Sequence, residues 1–146
     1  MSTVHERVYA AAVAAVAGEV PPAGVVAVHD RLRLAEFSVD ELPAVRVLPG
    51  TDLPVDGISD WENVNELTVE VQLLMAGVDQ IASMPQLHAE IHRRVWADPT
   101  LGGLAVRPFN GAIDERREES DQLRILKTYR YRWRYRVAAD DATAIP

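Results

Sequence analysis

The chain of 146 residues contains no cysteine. That excludes disulfide staples and thiolate metal sites, so a stable fold has to come from a packed core. Lysine is almost missing as well. Lys127 is the only one, and every other basic side chain is arginine, the residue suited to bidentate, partly buried ion pairs. No apolar run approaches the roughly 20 residues that cross a bilayer. Neither common glycine-rich phosphate cradle is present. The serines at 2, 38, 59, 83 and 120 lie outside any nucleophile-elbow pattern, and no triad assembles. The alanine-rich N-terminal stretch has no basic region before it and reads as a helix, not a secretory signal. The expectation is a protein made and kept in a cytosol.

Hydrophobic residues make up 48% of the chain and charged residues 25%, the balance of a soluble globular domain that buries one core. The length predicts a single domain over 1–146, with a frayed tail from about 140. The net charge of −7 is unevenly spread. Residues 1–90 carry 14 acids against 4 bases, and residues 91–146 carry 8 acids against 11 bases. An acidic chain is a poor general binder of nucleic acid.

The most informative stretch is Leu123–Val137, LRILKTYRYRWRYRV. A β-strand sends alternate side chains to opposite faces. One parity collects Ile125, Tyr129, Tyr131, Trp133, Tyr135 and Val137; the other collects Arg124, Arg130, Arg132, Arg134 and Arg136. Glu66–Met75 alternates too, with Leu67, Val69, Val71, Leu73 and Met75 opposed to Glu66, Thr68, Glu70 and Gln72. Paired antiparallel, Glu66 and Glu70 would face the arginine row, each opposite-charge pair contributing about 0.2–1 kcal/mol.

Helical spacing of Val4, Val8, Ala12 and Val16, a Thr3–Glu6 capping box and the stop at Gly18 predict a first helix over 3–17. A second begins at Ser83 as N-cap, with Met84, Leu87, Ile91, Val95 and Trp96 as its buried stripe and Asp98-Pro99 as its end. Strands are predicted over 24–30, 44–48, 66–75, 104–109 and 123–137. Segments 49–62 and 110–121 read as loops, the first from its Pro, Gly and Asp content and the second from its mixed charges. The sum is an α+β fold: an antiparallel sheet with two helices packed on its apolar face.

His88 and His92 stand four apart on the second helix, with Glu90 between them. Such a pair can share a metal, which keeps open a small metal-dependent hydrolase. The zinc-protease spacing places its glutamate directly after the first histidine, where this chain has Ala89, and a third ligand is lacking. Asp52, Asp56 and Asp60 do not follow an EF-hand pattern. Interleaved Arg and aromatic side chains suggest single-strand binding, but alternation puts the two kinds on opposite faces, where one surface would need both. No cofactor, metal or catalytic residue is assigned.

The order of motifs resembles a known family. Glu41-Leu-Pro-Ala-Val45 follows the first strand, and a loop containing Trp61 opens the alternating strand. Leu87–Asp98 has the form LxxEIxxxVWxD, Leu-Gly-Gly-Leu follows at 101–104, and an aromatic alternating strand closes the chain. This order is similar to that of the tail terminator, or tail completion, proteins of tailed bacteriophages (minor tail protein U-like), over about residues 3–138. A neighbouring head–tail connector or stopper protein is the alternative. The resemblance implies a non-enzymatic α+β subunit of the virion tail and neck, assembled in the host bacterial cytoplasm. It implies a homo-hexameric ring on the head-proximal end of the tail tube, which stops polymerisation at the length set by the tape-measure protein and then joins the head connector. DNA would pass through its lumen without specific binding, and no membrane is involved. A ring needs one patch meeting a different patch on its neighbour. The expected contact residues are Arg130, Arg132, Arg134 and Arg136 with Glu66 and Glu70, together with Asp52, Asp56 and Trp61 in one loop and Arg116 and Arg117 in the other.

Overall fold

A computed structural model describes residues 2–33, 35–59, 62–119 and 122–146; for 56–59 and 62 it describes the backbone path alone. Helix α1 runs Val4–Ala17 and strand β1 Ala27–His29. A 3-10 turn at Val39–Glu41 leads into the long hairpin of β2 (Ala44–Ser59) and β3 (Glu62–Ala76). Helices α2 (Val78–Ala82) and α3 (Met84–Ala97) follow, and a second hairpin joins β4 (Phe109–Glu119) to β5 (Leu123–Ala138). The sheet order is β1-β2-β3-β5-β4. All neighbours are antiparallel except β1, which lies parallel to β2 and makes one edge mixed. The predicted α+β architecture therefore holds, with a third, short helix and one parallel edge added.

The first helix begins as its sequence predicts. Thr3 Oγ1 accepts from the Glu6 N–H at 3.1 Å, satisfying one of the donors left over at a helix start. At the other end Gly18, at φ 58°, donates its N–H to the Ala14 carbonyl at 2.9 Å. The remaining terminal carbonyls are met from α3: Arg94 Nη1 donates to Val16 O, Ala17 O and Val20 O at 2.9, 3.1 and 2.9 Å. A Cβ at position 18 would stand 2.9 Å from that guanidinium nitrogen, so glycine serves both the turn and the clamp.

The core lies between the helices and one face of the sheet. Val4, Val8, Ala12 and Val16 of α1 and Met84, Leu87, Ile91 and Val95 of α3 pack on Val45, Val47, Leu67, Val69, Val71, Leu73 and the aromatic row of β5. Trp133 and Tyr131 are the largest fully buried side chains, and their polar tips are met. Trp133 Nε1 donates to Pro99 O at 3.0 Å, and Tyr131 Oη lies 3.1 Å from His92 Nδ1. Tyr9 Oη similarly donates to Val47 O at 2.8 Å.

Several expectations change. Segments 49–62 and 110–121 are largely strand, the outer parts of β2, β3 and β4. Their glycines sit at register shifts: Gly50 between Pro49 and Asp52, Gly111 between Asn110 and Ile113. A Cβ at Gly111 would come 2.8 Å from Arg130 Cβ, and one at Gly50 3.0 Å from Thr68 O. These are bulges where two strands close in, and they look like turns in the sequence. Pro49 and Pro54 are tolerated because β1 pairs with only Ala44–Arg46, leaving the rest of β2 as an edge. The strand expected at 104–109 is reduced to a bridge between Ala105 and Tyr135 before β4 begins at Phe109. Ser83 sits in the αR region and donates its hydroxyl to Gln80 O at 2.6 Å, ending α2 without capping α3 by its side chain. Trp96 is 40% exposed, outside the buried stripe. The tail from 140 packs back on α1: Val4 donates its N–H to Ala142 O at 2.9 Å, and Arg7 Nη2 donates to Thr143 O.

This packing predicts that Ile91→Ala, which empties a fully enclosed site, lowers unfolding free energy by about 2–5 kcal/mol, while Ile113→Ala on β4, at 57% exposure, changes it by no more than about 0.5 kcal/mol. Urea denaturation of both variants checks the contrast.

Candidate functional site: the charged face and the two hairpin ends

The face of the sheet opposite the helices carries the even-numbered side chains of β3 and β5. Their register runs without interruption from Glu62↔Ala138 to Ala76↔Arg124, about 50 Å of paired strand at 3.3 Å per residue. Glu66 lies opposite Arg134 and Glu70 opposite Arg130. Glu66 accepts from two guanidiniums, Arg132 Nη1 at 3.2 Å and Arg134 Nε at 3.1 Å. Arg130 reaches Asp114 of β4 at 2.7 Å and Glu70 at 3.6 Å. The expected contact residues Glu66, Glu70, Arg130, Arg132 and Arg134 thus form one ladder within the chain. Arg132 and Arg134 remain 39% and 46% exposed at their side chains, so this ladder also presents positive charge outward. Arg136 is exposed on the same strand parity.

The other expected residues lie apart from this ladder. Asp52 belongs to a network on the helix side: its Oδ2 accepts from Tyr135 Oη at 2.6 Å and lies 2.8 Å from His5 Nδ1, while Asn65 Nδ2 donates to the same tyrosine oxygen at 3.3 Å. Burial first, and then the Asp52 hydrogen bond, raises the Tyr135 phenol above its ordinary range, so it stays protonated and donating. Arg116 and Arg117 stand on β4 with opposite parity, paired in register with Leu126 and Ile125; Arg117 Nε lies 2.8 Å from Glu115. The Asp56 side chain, Asp60 and Trp61 lie outside the described residues.

The histidine pair is packed into the core layer. His88 stacks on Tyr129 at 3.7 Å between centroids and 10° between planes, and His92 faces the Tyr131 hydroxyl. Burial pushes the Tyr131 phenol up to about 12. Glu90, the one carboxylate between the histidines, is held by Arg93 and Arg94 below the usual carboxylate range. Among the described residues no group of three or more Asp, Glu or His side chains is placed to hold a metal ion. The base-stacking alternative fails on burial: Tyr129, Tyr131, Trp133 and Tyr135 are at most 6% exposed, so no aromatic face of β5 is open to a nucleobase.

The two hairpins leave the covered core at opposite ends of β5. The last pair of the β2–β3 hairpin, Ser59↔Glu62, is next to Ala138, and that of the β4–β5 hairpin, Glu119↔Leu123, is at the strand's start. From Ala112 to Glu119 every residue of β4 is exposed, on both faces. A bare, charged edge strand of this kind resists casual pairing through its charges and is open to a specific partner. Sequence reasoning missed this because a strand exposed on both faces has no hydrophobic alternation to detect.

No family model and no curated protein matches the sequence. Among solved structures, a chain from the virion of a native gene transfer agent particle is similar at 15% identity, over 92% of each chain, with a TM-score of 0.48.

Two outcomes are expected here. Glu66→Ala leaves Arg132 and Arg134 facing each other without their shared acceptor and costs about 1 kcal/mol; in an Arg134→Ala background the same change costs less, and a double-mutant cycle reads the difference as the coupling of the pair. Burial against Tyr129, and then the charges of His92 and Lys127, hold the His88 imidazole below its ordinary pKa. The unfolded chain therefore binds more protons once pH drops below about 6.5, and stability falls as pH falls. Urea midpoints between pH 7 and pH 5 should decline more steeply in the wild type than in His88→Phe; equal slopes would reject this role.

Proposed function

We propose that the chain is a structural subunit of a phage or phage-like tail, and specifically a tail terminator that caps the head-proximal end of the tail tube as a homo-hexameric ring. The observation that carries this reading is the placement of the two hairpin ends. A ring component has to make contact along the ring axis in both directions and with its neighbours around the ring. Two hairpins leaving one core at opposite ends of a strand about 50 Å long supply the first requirement. An exposed arginine row and an acidic N-terminal part supply two unlike patches for the second. The order of sequence motifs, similar to that of the terminator family, supports the same reading. The absence of any assembled catalytic group among the described residues is compatible with it and is not its basis.

In this reading the β2–β3 hairpin, with Asp52, Asp56 and Trp61, contacts one axial partner, and the β4–β5 hairpin, with Arg116 and Arg117, contacts the other. The axial partners are the tail tube and the head connector or stopper. Arg132, Arg134 and Arg136 meet the neighbouring subunit. The acidic surface lets DNA pass without capture, since phosphates are repelled. A connector or stopper role shares the same geometry and differs only in which joint it closes.

Assembly decides between them. Tail-tube protein with its tape-measure and initiator partners should give tubes of uniform length by negative-stain microscopy when this chain is present, and overlong tubes when it is omitted. Arg132→Glu with Arg134→Glu should abolish capping while the monomer stays folded. Unchanged lengths, with head joining now dependent on the chain, would assign it to the connector joint.

A further inference from the structure

On the outer face of the sheet, near the start of β5, an apolar row crosses three strands and ends at an arginine on a fourth. Ala44 pairs with Leu74, Leu74 with Leu126, and Leu126 with Arg116. The neighbouring row on one side brings Arg46, opposite Gln72, and the row on the other brings Arg124, opposite Ala76. Of these, Leu74, Leu126, Arg46, Arg116 and Arg124 line a cavity of about 660 Å³, together with Phe37.

The arginines at this rim are not neutralised in the way the main ladder is. Arg46 is half-buried, yet its partners are neutral: Gln72 Oε1 at 2.8 Å and the Arg33 carbonyl at 3.5 Å. Arg124 donates to Phe37 O at 3.3 Å. Among the described residues no carboxylate lies within ion-pair distance of Arg46, Arg116 or Arg124. Glu36 and Glu118 also line the cavity, and Glu118 stands directly across from Arg124 in the strand register, yet neither forms an ion pair with the three arginines. Arg33 and Arg117 are engaged elsewhere, with Glu41 at 2.6 Å and Glu115 at 2.8 Å. Burial and the nearby Arg33 charge lower the pKa of Arg46, as happens when a cation is withdrawn from water without a counter-charge. In a chain with net charge −7, three unpaired guanidiniums around an apolar floor mark a place where an anion from outside is favoured.

We propose that this cavity is a docking site for an acidic segment of a partner protein, one that places aliphatic side chains on the Leu74–Leu126 floor and carboxylates against Arg46, Arg116 and Arg124. Three strands spaced about 4.8 Å apart give a floor roughly 10 Å across, the span of about three extended residues. Extended chain alternates its side chains, so residues two apart share a face: a segment with leucines at two alternate positions and an acid two residues beyond each turns all four toward the sheet, the leucines onto the floor and the acids to the rim. The site rests on this geometry alone, whichever assembly the chain enters.

The test is a titration of isotope-labelled protein with acetyl-Glu-Ser-Leu-Ser-Leu-Ser-Asp-amide, read by the arginine Nε–Hε resonances and by isothermal calorimetry. Saturable binding is expected, weakened by salt, with Arg46 and Arg124 signals shifted. Arg46→Gln and, separately, the exposed Arg116→Gln should each lower affinity about tenfold, the worth of one charge-assisted hydrogen bond. The neutral peptide acetyl-Gln-Ser-Leu-Ser-Leu-Ser-Asn-amide should bind at least about tenfold more weakly. Free succinate binding as tightly as the acidic peptide would reduce the cavity to a small-anion site and overturn the docking proposal. Absence of saturable binding, or equal affinity for the neutral peptide, would overturn it as well. The exposed position of Arg116 keeps the test valid if Arg46→Gln fails to fold.

Discussion

The structure depends on the two-sidedness of β5. Its aromatic side closes the core under α1 and α3, and its arginine side has to be met by something other than apolar chain. Because the side-chain period of a strand is two, a slip of one residue would turn five arginines into the core and expose Tyr131 and Trp133. Glu66 and Glu70 of β3 provide that counter-charge at matching register. Charge pairing on one face and aromatic burial on the other thus specify the same alignment. Each pair is individually weak, but hydrophobic burial makes the alternative alignment costly.

The helices are tied to this sheet by polar groups as well as by packing. Arg94 links α3 to the C-terminal carbonyls of α1 and is itself held by Glu90. The tips of Tyr9, Trp133 and Tyr135 find partners in Val47 O, Pro99 O and Asp52. Buried aromatic side chains with satisfied tips cost little and fix orientation. Such a rigid centre suits a protein whose outward features are extended hairpins, because the arms are only as well aimed as the core that carries them.

Those arms are where function is concentrated in the proposed reading. β4 has no apolar face to bury beyond Phe109, and past Arg46 β2 is paired with β3 on one side and, among the described residues, with no strand on the other. Edge strands left bare in an acidic protein keep their charges on display. The histidines, by contrast, serve the fold: one lies flat on Tyr129 and the other meets Tyr131.

By itself the sequence determined the parts whose pattern has a physical period. The capped first helix, the second long helix and the alternating strands follow from spacing alone, because burial on one face writes that period into the chain. The α+β class follows from the same pattern. Only the tertiary structure decided the rest. The bulges at Gly50 and Gly111 carry the same residues as turns. The outer part of β4 buries neither face and so leaves no period. Arg94 became a clamp on α1, and Trp96 stayed partly exposed, through contacts between residues far apart in the chain. The unpaired arginines of the outer cavity are a further case. Whether a guanidinium finds a carboxylate depends on which strands become neighbours, and that is settled by register across the sheet, not by residue order along it.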